Sequence, residues 1–125
     1  MFIDSDILID FTNGHATAVD WLDNSSKKEV LRISMVVAIE LLVGSLNKKH
    51  MKEILELFER FELIHTNEQI SQKAYGLIQE YFLSHGLLVA DAMIAATALV
   101  LNDELATKNK RDFRYIEGLR LVDYL

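Results

Sequence analysis

The chain contains no cysteine. Disulfides and thiolate metal sites are therefore excluded, and the absence fits a reducing compartment such as the cytoplasm. There is no proline, and no segment reads as a linker, a repeat or a low-complexity tract. Positive charge is short as well. A net charge of −6 argues against a protein that coats nucleic acid through bulk charge. It leaves a nuclease open, because a metal in an acidic site reverses the local sign and flanking lysines can hold phosphates. The longest apolar run, Leu87 to Leu101, contains Asp91 and is too short to span a bilayer. Met1 to Asp10 carries three aspartates and no basic residue, unlike a secretory signal. A soluble protein with no membrane partner is expected. Glycine-rich phosphate loops, nucleophile elbows and His-Glu-x-x-His helices are missing too. The four histidines, His15, His50, His65 and His85, are widely separated, show no metal-ligand spacing and read as structural or surface residues.

What is present fits one domain over residues 1–125 with one core. Half of the residues are hydrophobic, which suggests an apolar interface beyond the core. Short apolar runs alternate with longer helical patterns, which predicts an α/β domain with a parallel sheet. Met1–Asp4, Val30–Ile33, Glu62–His65, Glu104–Thr107 and Arg120–Val122 read as strands. Helical segments are expected at Asp6–Phe11, Ala16–Leu22 and Met35–Leu46, the last capped by Ser34. A further amphipathic helix carries the stripe Met51, Ile54, Leu55, Phe58 and Phe61, with Glu56 and Arg60 as an i, i+4 pair. Thr66-Asn67-Glu68-Gln69 has capping-box form ahead of a helix with Ile70, Ala74, Leu77, Ile78 and Tyr81, which Gly86 would stop. Ala92–Leu101 is apolar nearly all round and reads as a buried helix.

Four acids stand at the edges of apolar elements: Asp4, Glu40, Asp91 and Asp112. Carboxylates avoid such surroundings unless something pairs with them. In open α/β sheets ligands sit outside the carboxyl ends of the strands, where all four can face one crevice. Converging acids without matching bases call for a cation, and oxygen ligands suit Mg²⁺ or Mn²⁺. Simpler roles compete. Asp4 and Asp91 could be helix caps, and Asp112 an ordinary loop residue. Glu40 has apolar neighbours on nearly every helix face, so partial burial is expected, with an ion pair as the alternative.

The residues carry a resemblance. Phe2-Ile3-Asp4-Ser5-Asp6-Ile7-Leu8-Ile9-Asp10 resembles the opening motif of PIN-domain proteins. Ile33 to Gly44 resembles their second motif, Ala90 to Ala98 the third and Leu105 to Phe113 the fourth. The order is the family's, the span covers nearly the whole chain, and the similarity is greatest to the VapC-like toxins of type II toxin–antitoxin systems. The resemblance implies a three-layer α/β/α fold and a Mg²⁺- or Mn²⁺-dependent endoribonuclease that cuts RNA. It also implies a homodimer inhibited by a cognate small antitoxin. It places catalytic and metal-binding acids at Asp4, Glu40, Asp91 and Asp112, with Asp6, Thr107 and Asn109 in support. Beside Asp112, the cluster Lys108, Lys110, Arg111 and Arg114 reads as a phosphate grip or as a solvated loop. Two other readings stay open: a non-catalytic module that binds RNA or a protein partner, and a PIN nuclease acting in RNA processing or on DNA.

Overall fold

Phe2 and Ile3 are two buried apolar residues with no room for a longer element, because Asp4 ends the strand and caps the helix after it. In the computed structural model, which describes residues 1–124, this strand β1 (Phe2–Ile3) is the middle of a five-stranded sheet. The order is β3-β2-β1-β4-β5, with β2 at Arg32–Ser34, β3 at Glu62–Ile64, β4 at Leu105–Ala106 and β5 at Leu121–Val122. All pairings are parallel; Phe2 lies opposite Arg32 on one side and Leu105 on the other. Six helices connect the strands: α1 (Ser5–Thr12), α2 (Ala16–Lys28), α3 (Met35–Val43), α4 (Lys48–Phe58), α5 (Glu68–His85) and α6 (Val89–Val100). Strands β1, β2 and β3 step outward in one direction, and β4 and β5 in the other. Right-handed crossovers, the rule for parallel strands, therefore carry α1–α4 over one face and α5–α6 over the other, which is the α/β/α sandwich that the resemblance implies.

Local chemistry sets several helix ends. The Ser34 hydroxyl accepts the Val37 N–H at 3.3 Å, and the Asn47 side chain accepts that of His50 at 2.8 Å. Gly86 ends α5 at φ 70°, a conformation that glycine reaches without a Cβ penalty. Helices α5 and α6 pack extensively on each other, and Ala92, Ile94, Ala95, Ala96 and Ala98 are buried, as the apolar periodicity of α6 requires.

Other boundaries differ from the expectation. Helix α2 continues through the polar segment Asp23–Lys28, because only Ala18 and Leu22 need burial. Helix α3 ends at Val43, short of Leu46, where Gly44 takes the C-cap. The cap of α5 is Asn67, whose side chain accepts the Ile70 N–H at 2.9 Å, rather than Thr66. Helix α6 starts at Val89, so Asp91 lies inside its first turn and is not its cap. The Glu56–Arg60 pair does not form. Helix α4 stops at Phe58, and Arg60 instead pairs with Asp23 at 2.7 Å and lies 5.2 Å from the Phe11 ring centroid. No helix among the described residues is long and apolar enough to cross a membrane.

Candidate active site

The strand order reverses between β1 and β4, and the crevice at the carboxyl ends of those strands is where such sheets take ligands. Asp4 follows β1 there and Thr107 follows β4. Asp4 is 5% exposed and tightly fixed. Its Oδ1 accepts the Ser5 N–H at 2.7 Å, and its Oδ2 accepts the Thr107 hydroxyl at 2.8 Å. The Thr107 oxygen in turn accepts the Asn109 N–H at 3.0 Å, which leaves its single proton for the acid. Asp4 thus also caps α1, as the simpler reading required.

Asp6 stands one step further along α1. Its Oδ2 accepts the Lys108 N–H at 3.0 Å and lies 3.3 Å from the Thr107 hydroxyl. Its Oδ1 is buried and has no hydrogen-bond partner among the described residues. Asp91 is half-buried on the first turn of α6. Asp112 ends a 3₁₀ turn, Lys110–Asp112, and is exposed. Glu40 is exposed as well: α3 packs Val37, Ala38 and Leu41 inward and leaves Ile39 and Val43 outside with it, so that only its carboxyl keeps some of the partial burial expected.

The acids sense one another electrically. Burial raises the pKa of Asp4, with Asp91 adding to it and the Thr107 and Ser5 hydrogen bonds opposing it. Burial and the charge of Asp4 push Asp6 up to about 6. Partial burial of the Glu40 carboxyl raises its pKa, and Asp4, Asp91 and Asp6 raise it further. Asp91 is raised by burial and then by Asp112 and Asp6. No lysine or arginine forms an ion pair with Asp4, Asp6, Glu40, Asp91 or Asp112 among the described residues. An all-carboxylate donor set, mutually repelling, with an orphaned buried oxygen on Asp6, fits a hard divalent cation. The carboxylate trio that lies closest together among the described residues is elsewhere, at Glu29, Asp103 and Glu104. There the Met1 ammonium pairs with Glu29 and Asp103, and Arg32 with Asp103.

The basic cluster divides into two pairs. Lys108 Nζ binds Asp10 at 2.8 Å and Lys110 binds Asp123, so both are held beside β5 by acids of their own. Arg111 and Arg114 have no ion-pair partner among the described residues. They line a cleft of about 440 Å³ together with Asp91, Asp112, His85 and Tyr115. Sequence reasoning set His85 aside as structural or surface and did not single out Tyr115. No spacing rule links the end of α5 to the loop before β5, and only the fold brings them together.

A family model described as PIN domain matches residues 1–119. The ribonuclease VapC10 of Mycobacterium tuberculosis is 34% identical over 121 residues, which is 96% of this chain and 90% of the relative. The ribonuclease VapC1 of Methanocaldococcus jannaschii is 32% identical over 96 residues, covering 73% of this chain and 69% of the relative. Among solved structures, VapBC2 from Rickettsia felis, bound to a promoter DNA fragment, superposes with a TM-score of 0.84 at 26% identity. It covers 98% of this chain and 96% of that one. A toxin–antitoxin complex from Klebsiella pneumoniae gives a TM-score of 0.80 at 28% identity, over 99% of this chain and 97% of that one. The chain belongs to the PIN-domain family, as one of its VapC-like members.

Proposed function

We propose that this single PIN domain is a divalent-metal-dependent endoribonuclease that hydrolyses RNA phosphodiester bonds, the toxin of a type II toxin–antitoxin module. The observation that supports the reading is the electrostatic coupling of Asp4, Asp6, Glu40, Asp91 and Asp112, none of which has an ion-pair partner among the described residues. The ribonuclease names of the curated relatives support RNA as the substrate. In this reading Asp4, Glu40, Asp91 and Asp112 hold Mg²⁺ or Mn²⁺, and Asp6 offers its free oxygen beside them. When bound, such an ion supplies Lewis-acid activation of water and neutralises charge on the phosphate oxygens.

The chain's own residues do the rest. Thr107, oriented by the Asn109 N–H, holds Asp4 in place before any cation arrives, so little rearrangement is needed on binding. Arg111 and Arg114 sit where they can hold the phosphodiester at the mouth of the cleft. The protein partners follow from uncovered apolar surface. Val43 and Leu46 are 80% and 85% exposed, Ile39 is about half exposed, and Ile9 and Leu46 line a hollow together with Glu40. A second uncovered group is Phe82, Leu83, Leu88 and Val89. Surfaces of this kind suit partners, and we assign them to a second copy of the chain and to a cognate small antitoxin, in the cytoplasm.

The test is cleavage of tRNA, rRNA and mRNA by purified protein with Mg²⁺ or Mn²⁺, beside EDTA and an Asp91→Asn variant. Cleavage that needs both the metal and Asp91 is the expected result. A folded, metal-binding protein that cuts none of these RNAs would overturn the ribonuclease reading. Gel filtration tests the homodimer, which a clean monomer at high concentration would exclude.

A further inference from the structure

The cleft beside Asp91 has an aromatic wall that the metal chemistry does not use. His85 is the last residue of α5, and its imidazole stacks on the Tyr115 ring with centroids 4.1 Å apart and planes 12° from parallel. Tyr115 is backed by Tyr81, 5.2 Å between centroids, and Tyr81 also meets the edge of His85 at 5.9 Å. Tyr81 is itself tied down, because its buried hydroxyl oxygen accepts the Glu117 N–H at 3.1 Å. The Ser84 hydroxyl lies 2.7 Å from His85 Nδ1. Three neighbours therefore fix the orientation of the His85 ring.

A ring fixed only for packing is buried by what fixes it. His85 is instead exposed, and it lines the cleft that holds Asp91, Asp112, Arg111 and Arg114. An oriented aromatic face beside two unpaired guanidinium groups has the chemistry of a nucleotide site: a base stacks on the ring while its phosphates meet the arginines. Stacking needs a base whose face is free, so the ligand is an unpaired nucleotide rather than one inside a duplex.

We infer that His85, supported by Tyr115 and Tyr81, is a base-stacking platform for an unpaired RNA nucleotide next to the phosphodiester held at the acids, with Arg111 and Arg114 on its phosphates. The inference rests on the ribonuclease reading and adds a positioning role at the same site.

Binding of a fluorescein-labelled, mixed-sequence, single-stranded RNA decamer is measured by anisotropy in EDTA, so that no strand is cut. A strand of equal length made of abasic ribose phosphate is the control. The wild type is expected to prefer the base-bearing strand by about 10- to 100-fold. His85→Ala loses that preference, His85→Phe keeps it, and Arg111→Ala weakens both strands alike. Equal affinity of the wild type for the two strands, or a preference that survives His85→Ala in a folded protein, overturns the platform. Parallel cleavage assays separate the two ideas. If the wild type cuts RNA while His85→Ala keeps the base preference, the platform falls and the ribonuclease stands. If the base preference depends on His85 but no RNA is cut, the platform stands and the ribonuclease falls.

Discussion

Both ends of the sheet carry clustered acids and treat them in opposite ways. At the amino end, Asp103 accepts the Met1 ammonium at 2.8 Å and Arg32 Nη1 at 3.3 Å. Burial works to raise its pKa, but the Met1 and Glu104 hydrogen bonds and the Met1 and Arg32 charges outweigh it, and the net shift is downward. At the carboxyl end, Asp4, Asp6, Glu40 and Asp91 have no ion-pair partner among the described residues, and every shift is upward. A carboxylate that serves the fold is paired inside the molecule. Carboxylates kept together unpaired cost stability, and such a cost persists where the missing charge comes from outside. The contrast between lowered and raised acids therefore singles out Glu40 as a candidate where burial does not, since Glu40 is exposed.

That contrast can be broken in a definite order. The largest effect is expected from Asp91→Asn. Losing several kcal/mol of metal-linked transition-state stabilisation lowers the cleavage rate on the order of 10³-fold, while the metal-free fold is as stable as the wild type or more so. A single-turnover cleavage assay and a melting curve check both halves. Next is Thr107→Val, which removes the hydroxyl that holds Asp4. Metal affinity or activity should fall about 10- to 100-fold, as is usual when a ligand loses its supporting hydrogen bond. Titrating the cleavage rate with Mn²⁺ should show the curve displaced to higher metal, and Thr107→Ser should restore it.

The amino end should respond in the reverse sense. Asp103→Asn removes a charged partner from the buried Met1 ammonium and from Arg32. It should cost about 2 kcal/mol and leave cleavage per folded molecule unchanged. Denaturant unfolding with active-site titration checks this, and a loss of specific activity would mean that the two ends are not independent.

The smallest effect concerns pH. Asp6 titrates at about 6 in the folded protein against an ordinary value of 3.8. Between these two values the folded state binds more protons than the unfolded state, so this group's contribution to stability falls as pH rises through the window and is fully lost above about 6. After solvent screening the difference is on the order of 1 kcal/mol. Melting temperatures of EDTA-treated wild type and Asp6→Asn should therefore diverge as pH rises from about 4 to 7, with the wild type the lower. Mn²⁺ should recover the wild type near pH 7 and do less near pH 4, where Asp6 is protonated. Parallel curves for the two proteins would exclude the effect.

The chain's order and local chemistry determined much of this protein. Alternation of apolar runs and helical stripes is enough for a parallel α/β sheet, because a buried strand and an amphipathic helix differ in period. Ser34 and Gly86 mark helix ends because their side-chain hydroxyl and missing Cβ act on the adjacent backbone. The acids are also legible as candidates, since each stands at the edge of an apolar element. The tertiary structure decided how charge and aromatic faces are shared out between distant segments. It sent Arg60 to Asp23, Lys108 to Asp10 and Lys110 to Asp123, left Glu40 on the outside of an apolar helix, and set His85 against Tyr115. These pairings join residues that the chain keeps far apart or on different elements. Ion pairs and ring stacks depend on distances of a few ångströms in space, and no periodicity along the chain encodes those distances.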